Sequence, residues 1–228
     1  MSILPSDAPL AVTGDLADGL RQLGLDVEAC VRPLQAYARL LRRYNSRYRL
    51  VADLQQLTTH HLLDSLAGLE TVRSLAVAGR LVDIGSGAGL PGVPLALAAP
   101  ELQVTLVERS ARRAMFLRLV VSELRLGNRC RVLEQSLEQL GCQDAAPDND
   151  LLVSRAVAGL GETVTMLRAL AAREVCVDPR ASLIAYKGRA SVVARETREV
   201  AQGCRVLPLQ VPGVAEERHL VVVAGPWQ

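Results

Sequence analysis

The sequence predicts an α/β fold: a seven-stranded, mostly parallel sheet covered by helices, with an N-terminal helical extension. Three observations predict it. From Gly79 onward, strand-like and helix-like runs alternate, and such alternation needs a parallel sheet buried on both faces. A glycine-rich corner, Asp83-Ile84-Gly85-Ser86-Gly87-Ala88-Gly89-Leu90-Pro91-Gly92, joins the strand-like Leu81 to Ile84 with a helix-like run from Pro94 to Ala99. The last two strand-like runs are joined by Pro212-Gly213 and a short loop, too short for a crossover helix, so they form an antiparallel hairpin.

In chain order, residues 1–78 read as helical. Leu34, Tyr37, Leu40 and Leu41 recur at helical spacing, Tyr44 and Tyr48 follow at i+4 steps, and Leu62, Leu63, Leu66 and Leu69 form a later stripe. Residues 79–228 form the sheet region. Strands are expected near 81–85, 103–108, 130–134, 150–154, 181–186, 204–211 and 218–224. Helices are expected near 93–99, 111–125, 160–172 and 190–201.

Composition bounds the function. At 228 residues the chain suits one α/β domain with a modest extension. Half of it is hydrophobic and only 3% aromatic, so the core must be aliphatic. No apolar stretch reaches membrane-spanning length, and the N-terminus lacks the pattern of a signal peptide. Cys30, Cys130, Cys142, Cys176 and Cys204 are scattered and include no C-x-x-C, which points to reduced thiols in a cytoplasmic protein and to no metal.

Net charge is +2 but unevenly spread. Arg32, Arg39, Arg42, Arg43, Arg47 and Arg49 fall in 31–49 with no acid, and seven arginines fall in 109–131 against Glu123 alone. Clustered cations suit a polyanionic partner, with solvated helix surface as the plain alternative. Tyr44 and Tyr48 add possible base stacking to that first cluster. Lys187 is the lone lysine beside 25 arginines and ends a strand-like run, where open α/β sheets place ligands.

The glycine spacing Gly85-x-Gly87-x-Gly89, with Asp83 two residues earlier, resembles the first motif of Rossmann-like S-adenosylmethionine methyltransferases. It differs from the dinucleotide pattern G-x-G-x-x-G. Glu108 closes the next strand, Val104 to Val107, where an acid accepts hydrogen bonds from both ribose hydroxyls of a nucleoside.

Six segments, the glycine corner among them, carry a more specific resemblance. They are His61-Leu62-Leu63-Asp64-Ser65, the glycine corner itself, Arg112-Arg113 with Phe116-Leu117, Ser154-Arg155-Ala156, Lys187-Gly188 and Arg218-His219-Leu220. In order and spacing they resemble the bacterial small-subunit (16S) ribosomal RNA guanine-N7 methyltransferases, the RsmG or GidB family, from about Tyr37 to Val223. The resemblance implies a class I methyltransferase domain and S-adenosylmethionine as cofactor. It implies cofactor contacts at Gly85, Leu90, Glu108, Leu137, Glu138 and Arg155. His61, Asp64, Arg112, Arg113, Lys187, Arg218 and His219 become candidates for RNA contact. The implied partner is 16S rRNA in the small ribosomal subunit or its assembly intermediate, met by a monomer. Two departures stand out: Ser136 replaces the family's usual arginine two residues before Glu138, and Arg49-Leu50-Val51 replaces its asparagine-leucine-threonine.

Guanine N7 already carries a lone pair, so methylation needs alignment and desolvation rather than a general base. The chain fits that demand. Ser154-Arg155-Ala156-Val157 stands where exocyclic-amine enzymes carry an Asp/Asn-Pro-Pro-Tyr/Phe motif, and Cys142 and Cys176 lack the setting of a catalytic thiol. No catalytic acid–base residue is therefore expected. The alternative is a methyltransferase acting on another RNA site or on a small molecule.

Overall fold

A computed structural model describes residues 12–139, 151–155, 159–172, 178, 180–200 and 203–227. The sheet holds β1 (Arg80–Ile84), β2 (Gln103–Val107), β3 (Cys130–Leu133), β4 (Leu151–Arg155), β5 (Ser182–Lys187), β6 (Cys204–Pro208) and β7 (His219–Val223). Their order is β3-β2-β1-β4-β5-β7-β6. The first five run parallel; β7 is antiparallel to both β5 and β6. The expected hairpin is present, with its second strand inserted beside β5. Pairing ends at Pro208, short of the expected 211, although Leu209 N–H still reaches the Arg218 carbonyl at 2.8 Å.

Burial explains the strand compositions. The four β1 residues Leu81 to Ile84 and the first four of β4 are all buried, as a sheet covered on both faces requires. Strand β1 stops one residue earlier than expected because Gly85 turns the chain at φ +63°. Helices α5 (Gly92–Ala98), α6 (Ala111–Glu123), α7 (Leu160–Ala172) and α8 (Ala190–Arg198) follow the expected spans closely.

Ahead of the sheet lie α1 (Val12–Gln22), α2 (Val27–Tyr48), α3 (Asp64–Ala67) and α4 (Leu69–Leu75). Between α2 and α3, Leu57–Leu63 forms a π-helix, which the leucine stripe did not announce. Its wider repeat brings Leu57 and Leu62, five apart, into the interior, where both are fully buried. Helix α2 packs on α5 and α6 in one core shared with the sheet, so the N-terminal helices belong to the structure that holds the glycine corner. Among the described residues, no helix is long and apolar enough to cross a membrane.

Candidate cofactor and substrate sites

The parallel strands bring two cavities to their carboxyl ends, one on each side of the β1–β4 junction. The first is built by the glycine corner. Gly85, Gly87 and Gly89 all take positive φ, which a side chain would disfavour. Ser86 N–H donates to the Val107 carbonyl at 2.9 Å, tying the corner to β2. Gly92 N–H donates to Asp83 Oδ2 at 3.0 Å, and a Cβ on Gly92 would lie 2.6 Å from that oxygen.

Glu108 is 4% exposed, and its carboxylate accepts from Gly87 N–H and from Ser110 N–H, each at 2.8 Å. Each oxygen thus has one backbone donor and keeps acceptor capacity. Ile84, Leu137 and Met166 give this cavity apolar walls; Glu108, Arg113 and Glu138 give it polar ones. Met166 comes from α7, far along the chain, and no local signal in the sequence marked it. A buried acid with spare acceptors beside apolar walls and side-chain-free backbone fits an adenosine-bearing cofactor. Asp83 adds a second feature: it is fully buried, its Oδ1 has no hydrogen-bond partner, and burial raises its pKa to about 7.

The sequence-derived cofactor residues divide. Gly85, Glu108, Leu137 and Glu138 line the first cavity, while Leu90 is buried in the core beneath the corner. Arg155, at the end of β4, turns toward the second cavity instead. Ser136, at the position of the family's arginine, hydrogen-bonds the Glu138 carboxylate and lowers its pKa. The Arg49-Leu50-Val51 segment is organised by Asn45, whose Oδ1 accepts from Leu50 N–H and Val51 N–H, each at 2.9 Å.

The second cavity gathers His60, Asp64, Arg155, Lys187, Arg218 and His219. Asp64 is buried and receives Arg155 Nη1 at 2.7 Å on one oxygen and Arg218 Nε at 2.9 Å on the other. Arg155 also places Nη2 2.6 Å from His61 Nδ1 and reaches the His60 carbonyl at 3.3 Å. A guanidinium only donates, so His61 Nδ1 accepts. Burial, then the Arg155 charge, lowers the His61 pKa to about 4, which keeps the ring neutral at pH 7. His219 Nδ1 donates to the Gly188 carbonyl at 2.7 Å. Lys187 Nζ pairs with Glu196 of α8 at 2.8 Å, both side chains largely buried. His61 and Asp64 are thus brought together with Arg155 and Arg218 by the π-helix and by chain segments far apart in sequence.

Arg112 and Arg113 part company. Arg113 lines the first cavity, and Arg112 lies exposed against Arg47 and Tyr48. Tyr44 and Tyr48 are half-buried against Phe116, so their rings serve partly as core.

This strand order, with a glycine corner after β1 and a buried acid after β2, defines a Rossmann-like methyltransferase that uses S-adenosylmethionine. Solved structures agree on the fold. The human methyltransferase 10 domain containing protein superposes with a TM-score of 0.56 at 15% identity, covering 84% of this chain and 97% of that one. A predicted O-methyltransferase from Agrobacterium tumefaciens gives 0.53 at 21% identity, covering 73% and 80%. The model of the GidB family, described as rRNA small subunit methyltransferase G, matches residues 31–221. Ribosomal RNA small subunit methyltransferase G of Stenotrophomonas maltophilia (strain R551-3) is 43% identical over 223 residues, 96% of this chain and 97% of that protein. The protein of the same name from Xylella fastidiosa (strain 9a5c) is 42% identical over 217 residues, covering 93% and 94%. The chain belongs to the GidB family of small-subunit rRNA methyltransferases.

Proposed function

We propose that the chain methylates N7 of a guanine in 16S rRNA, as a monomer in the cytoplasm acting on the small ribosomal subunit or an assembly intermediate. The observation that carries this reading is the pairing of the two cavities across β1 and β4. One is shaped for a nucleoside. Its neighbour is lined by three cations, Arg155, Lys187 and Arg218, and suits a nucleotide of a polyanion. Family membership and the arginine clusters on α2 and α6 support RNA as that polyanion.

Gly85, Glu108, Leu137 and Glu138 would hold S-adenosylmethionine, with Glu108 accepting from the ribose hydroxyls. When bound, that cofactor supplies a methyl group on a sulfonium, an electrophile ready for in-line attack. The residues of the second cavity then orient the base and exclude water. Arg155 and Arg218, held by Asp64, present a fixed positive edge to phosphate. His61, which does not line the cavity, braces Arg155 as a neutral ring, and His219 keeps Nε2 turned away from its Gly188 contact. Lys187, tied to Glu196, fixes the mouth of β5. Because N7 attacks with its own lone pair, orientation and desolvation suffice. In this reading residues 1–78 add RNA contacts to those of the second cavity, and residues 79–228 hold the cofactor.

The test is to compare N7-methylguanine in 16S rRNA from cells with and without the gene. The purified protein is then used to restore the mark on RNA from the deletion strain. One guanine losing and regaining its N7 methyl supports the assignment. An unchanged methylation map, or a lost methyl on an exocyclic nitrogen, overturns it.

A further inference from the structure

A third hollow lies away from both cavities, where the end of α2 meets the start of α6. It is lined by Arg47, Tyr48, Ala111, Arg112 and Met115. Met115 is 56% exposed, one of few large apolar side chains so exposed among the described residues. Its sulfur lies 3.7 Å from the Tyr48 hydroxyl. Tyr48 is held from behind by Tyr44 and Phe116, each with its ring centroid 5.9 Å away, and the Arg47 guanidinium lies 5.5 Å from its ring centroid. The hollow is therefore an apolar floor of thioether and aromatic carbon between two arginines. Outside it the exposed cations continue. Arg39, Arg43 and Arg47 recur at i+4 steps along α2, and Arg109 and Arg112 flank the start of α6. Arg118 is already paired with Glu134 at 2.8 Å.

An apolar seat framed by cations fits a planar, neutral group carried on an anionic chain. The geometry points to this hollow as a seat for one unstacked base of the substrate RNA, other than the guanine that is methylated. The inference rests on RNA being the substrate and adds a second, non-catalytic contact to it. Thioether and arginine both pack on aromatic faces, and a stack of this kind tolerates any base. The location suits such a role. RNA recognition favours splayed single-stranded bases, because the major groove of an RNA helix, where N7 lies, is too deep and narrow to enter. The hollow and the first cavity are linked only through the start of α6. Arg112 lies in it while its neighbour Arg113 lines the first cavity.

The experiment uses the full chain and two targets, deproteinised 16S rRNA and intact 30S particles. Met115→Asp puts a carboxylate on the floor of the hollow. It should weaken binding to deproteinised rRNA on the order of tenfold, the scale of one stacking contact, and raise the KM for methylation. Affinity for S-adenosylhomocysteine and the melting temperature should stay unchanged, since Met115 is exposed. Met115→Leu should retain binding. A photocrosslinker placed at position 115 gives a second readout, which should map to nucleotides near the target guanine but not onto it. Wild-type affinity of Met115→Asp for rRNA overturns the inference while leaving the methylation assignment standing. So do crosslinks confined to ribosomal proteins, or binding lost only on 30S particles, which would mark a protein-docking surface. If wild type neither binds nor methylates 16S rRNA, the assignment itself fails and the inference goes with it.

Discussion

The hydroxyl of Tyr37 donates a 2.6 Å hydrogen bond to the carbonyl of Ala88, joining the middle of α2 to the glycine corner 51 residues later. Tyr37 is fully buried, and a Cβ on Gly89 would come within 3.2 Å of its hydroxyl. Helix α2 therefore backs the glycine corner. A corner of three positive-φ glycines has little stiffness of its own; this bond and the Glu108 clamp supply it from two sides.

Tyr37→Phe should keep the packing and remove only the tie. The Ala88 carbonyl would be left buried without that donor, a cost of about 1–3 kcal/mol. Urea unfolding should show that loss, and calorimetry should show severalfold weaker binding of S-adenosylhomocysteine. Unchanged affinity beside lowered stability would mean the corner holds its shape without α2.

Glu108 organises Gly87 and Ser110, and in the proposed site it also offers acceptors to the cofactor. Glu108→Gln keeps the shape but turns an N–H₂ group against one of those backbone donors. Glu108→Ala removes every acceptor. Both should lose S-adenosylhomocysteine affinity, by about 1–3 kcal/mol for Ala, where a charged hydrogen bond goes unmade. Wild-type affinity in Glu108→Ala would remove the ribose assignment.

Much of the fold was legible because burial and periodicity are local. The β1, β2 and β5 runs are apolar through most of their length, and Gly85 marks where β1 must turn. The first cavity was legible for the same reason, since Gly85 and Glu108 sit at strand ends their neighbours define. The second was legible only as fragments. His61 and Asp64 share a spacing, but nothing near them specifies a π-helix or says that Arg155 and Arg218 arrive from far along the chain. Lys187 drew notice as a lone lysine; its partner Glu196 lies on α8 and could not be paired with it in advance. Nothing in the sequence marks Met115 as different from its helical neighbours. Its exposure depends on how α2 crosses α6.

Half-buried His61 and fully buried Asp83 give opposed pH dependences. His61 falls from its ordinary 6.5 to about 4. Between those values the unfolded chain takes up a proton that the folded chain refuses, so stability falls as pH drops through that window. Asp83 rises from 3.8 to about 7. Between those values the folded chain keeps a proton that the unfolded chain has released, so stability falls as pH rises. In denaturant titrations, the gap between wild type and His61→Asn should narrow as pH falls from about 7 to about 4. The gap for Asp83→Asn should narrow as pH rises over the same range. Parallel stability curves would show that neither group titrates on unfolding.

Asp64 is the single acid between two guanidiniums, with side chains 8%, 16% and 21% exposed for Asp64, Arg155 and Arg218. Removing one member of a buried ion cluster strands the others, and the cost exceeds the attraction lost. Asp64→Asn should therefore destabilise the chain by about 3–5 kcal/mol, toward the low end because the arginines keep some water contact. Adding Arg218→Gln removes one stranded charge and should recover part of that loss, so the double variant is more stable than the sum of the singles predicts. Methylation separates structure from RNA contact. In the double variant, stability partly returns, but the KM for rRNA should stay raised because a phosphate-facing cation is gone. Additive stabilities would show that Asp64 and Arg218 are not coupled. A KM restored along with stability would show that Arg218 braces the fold and does not meet the substrate.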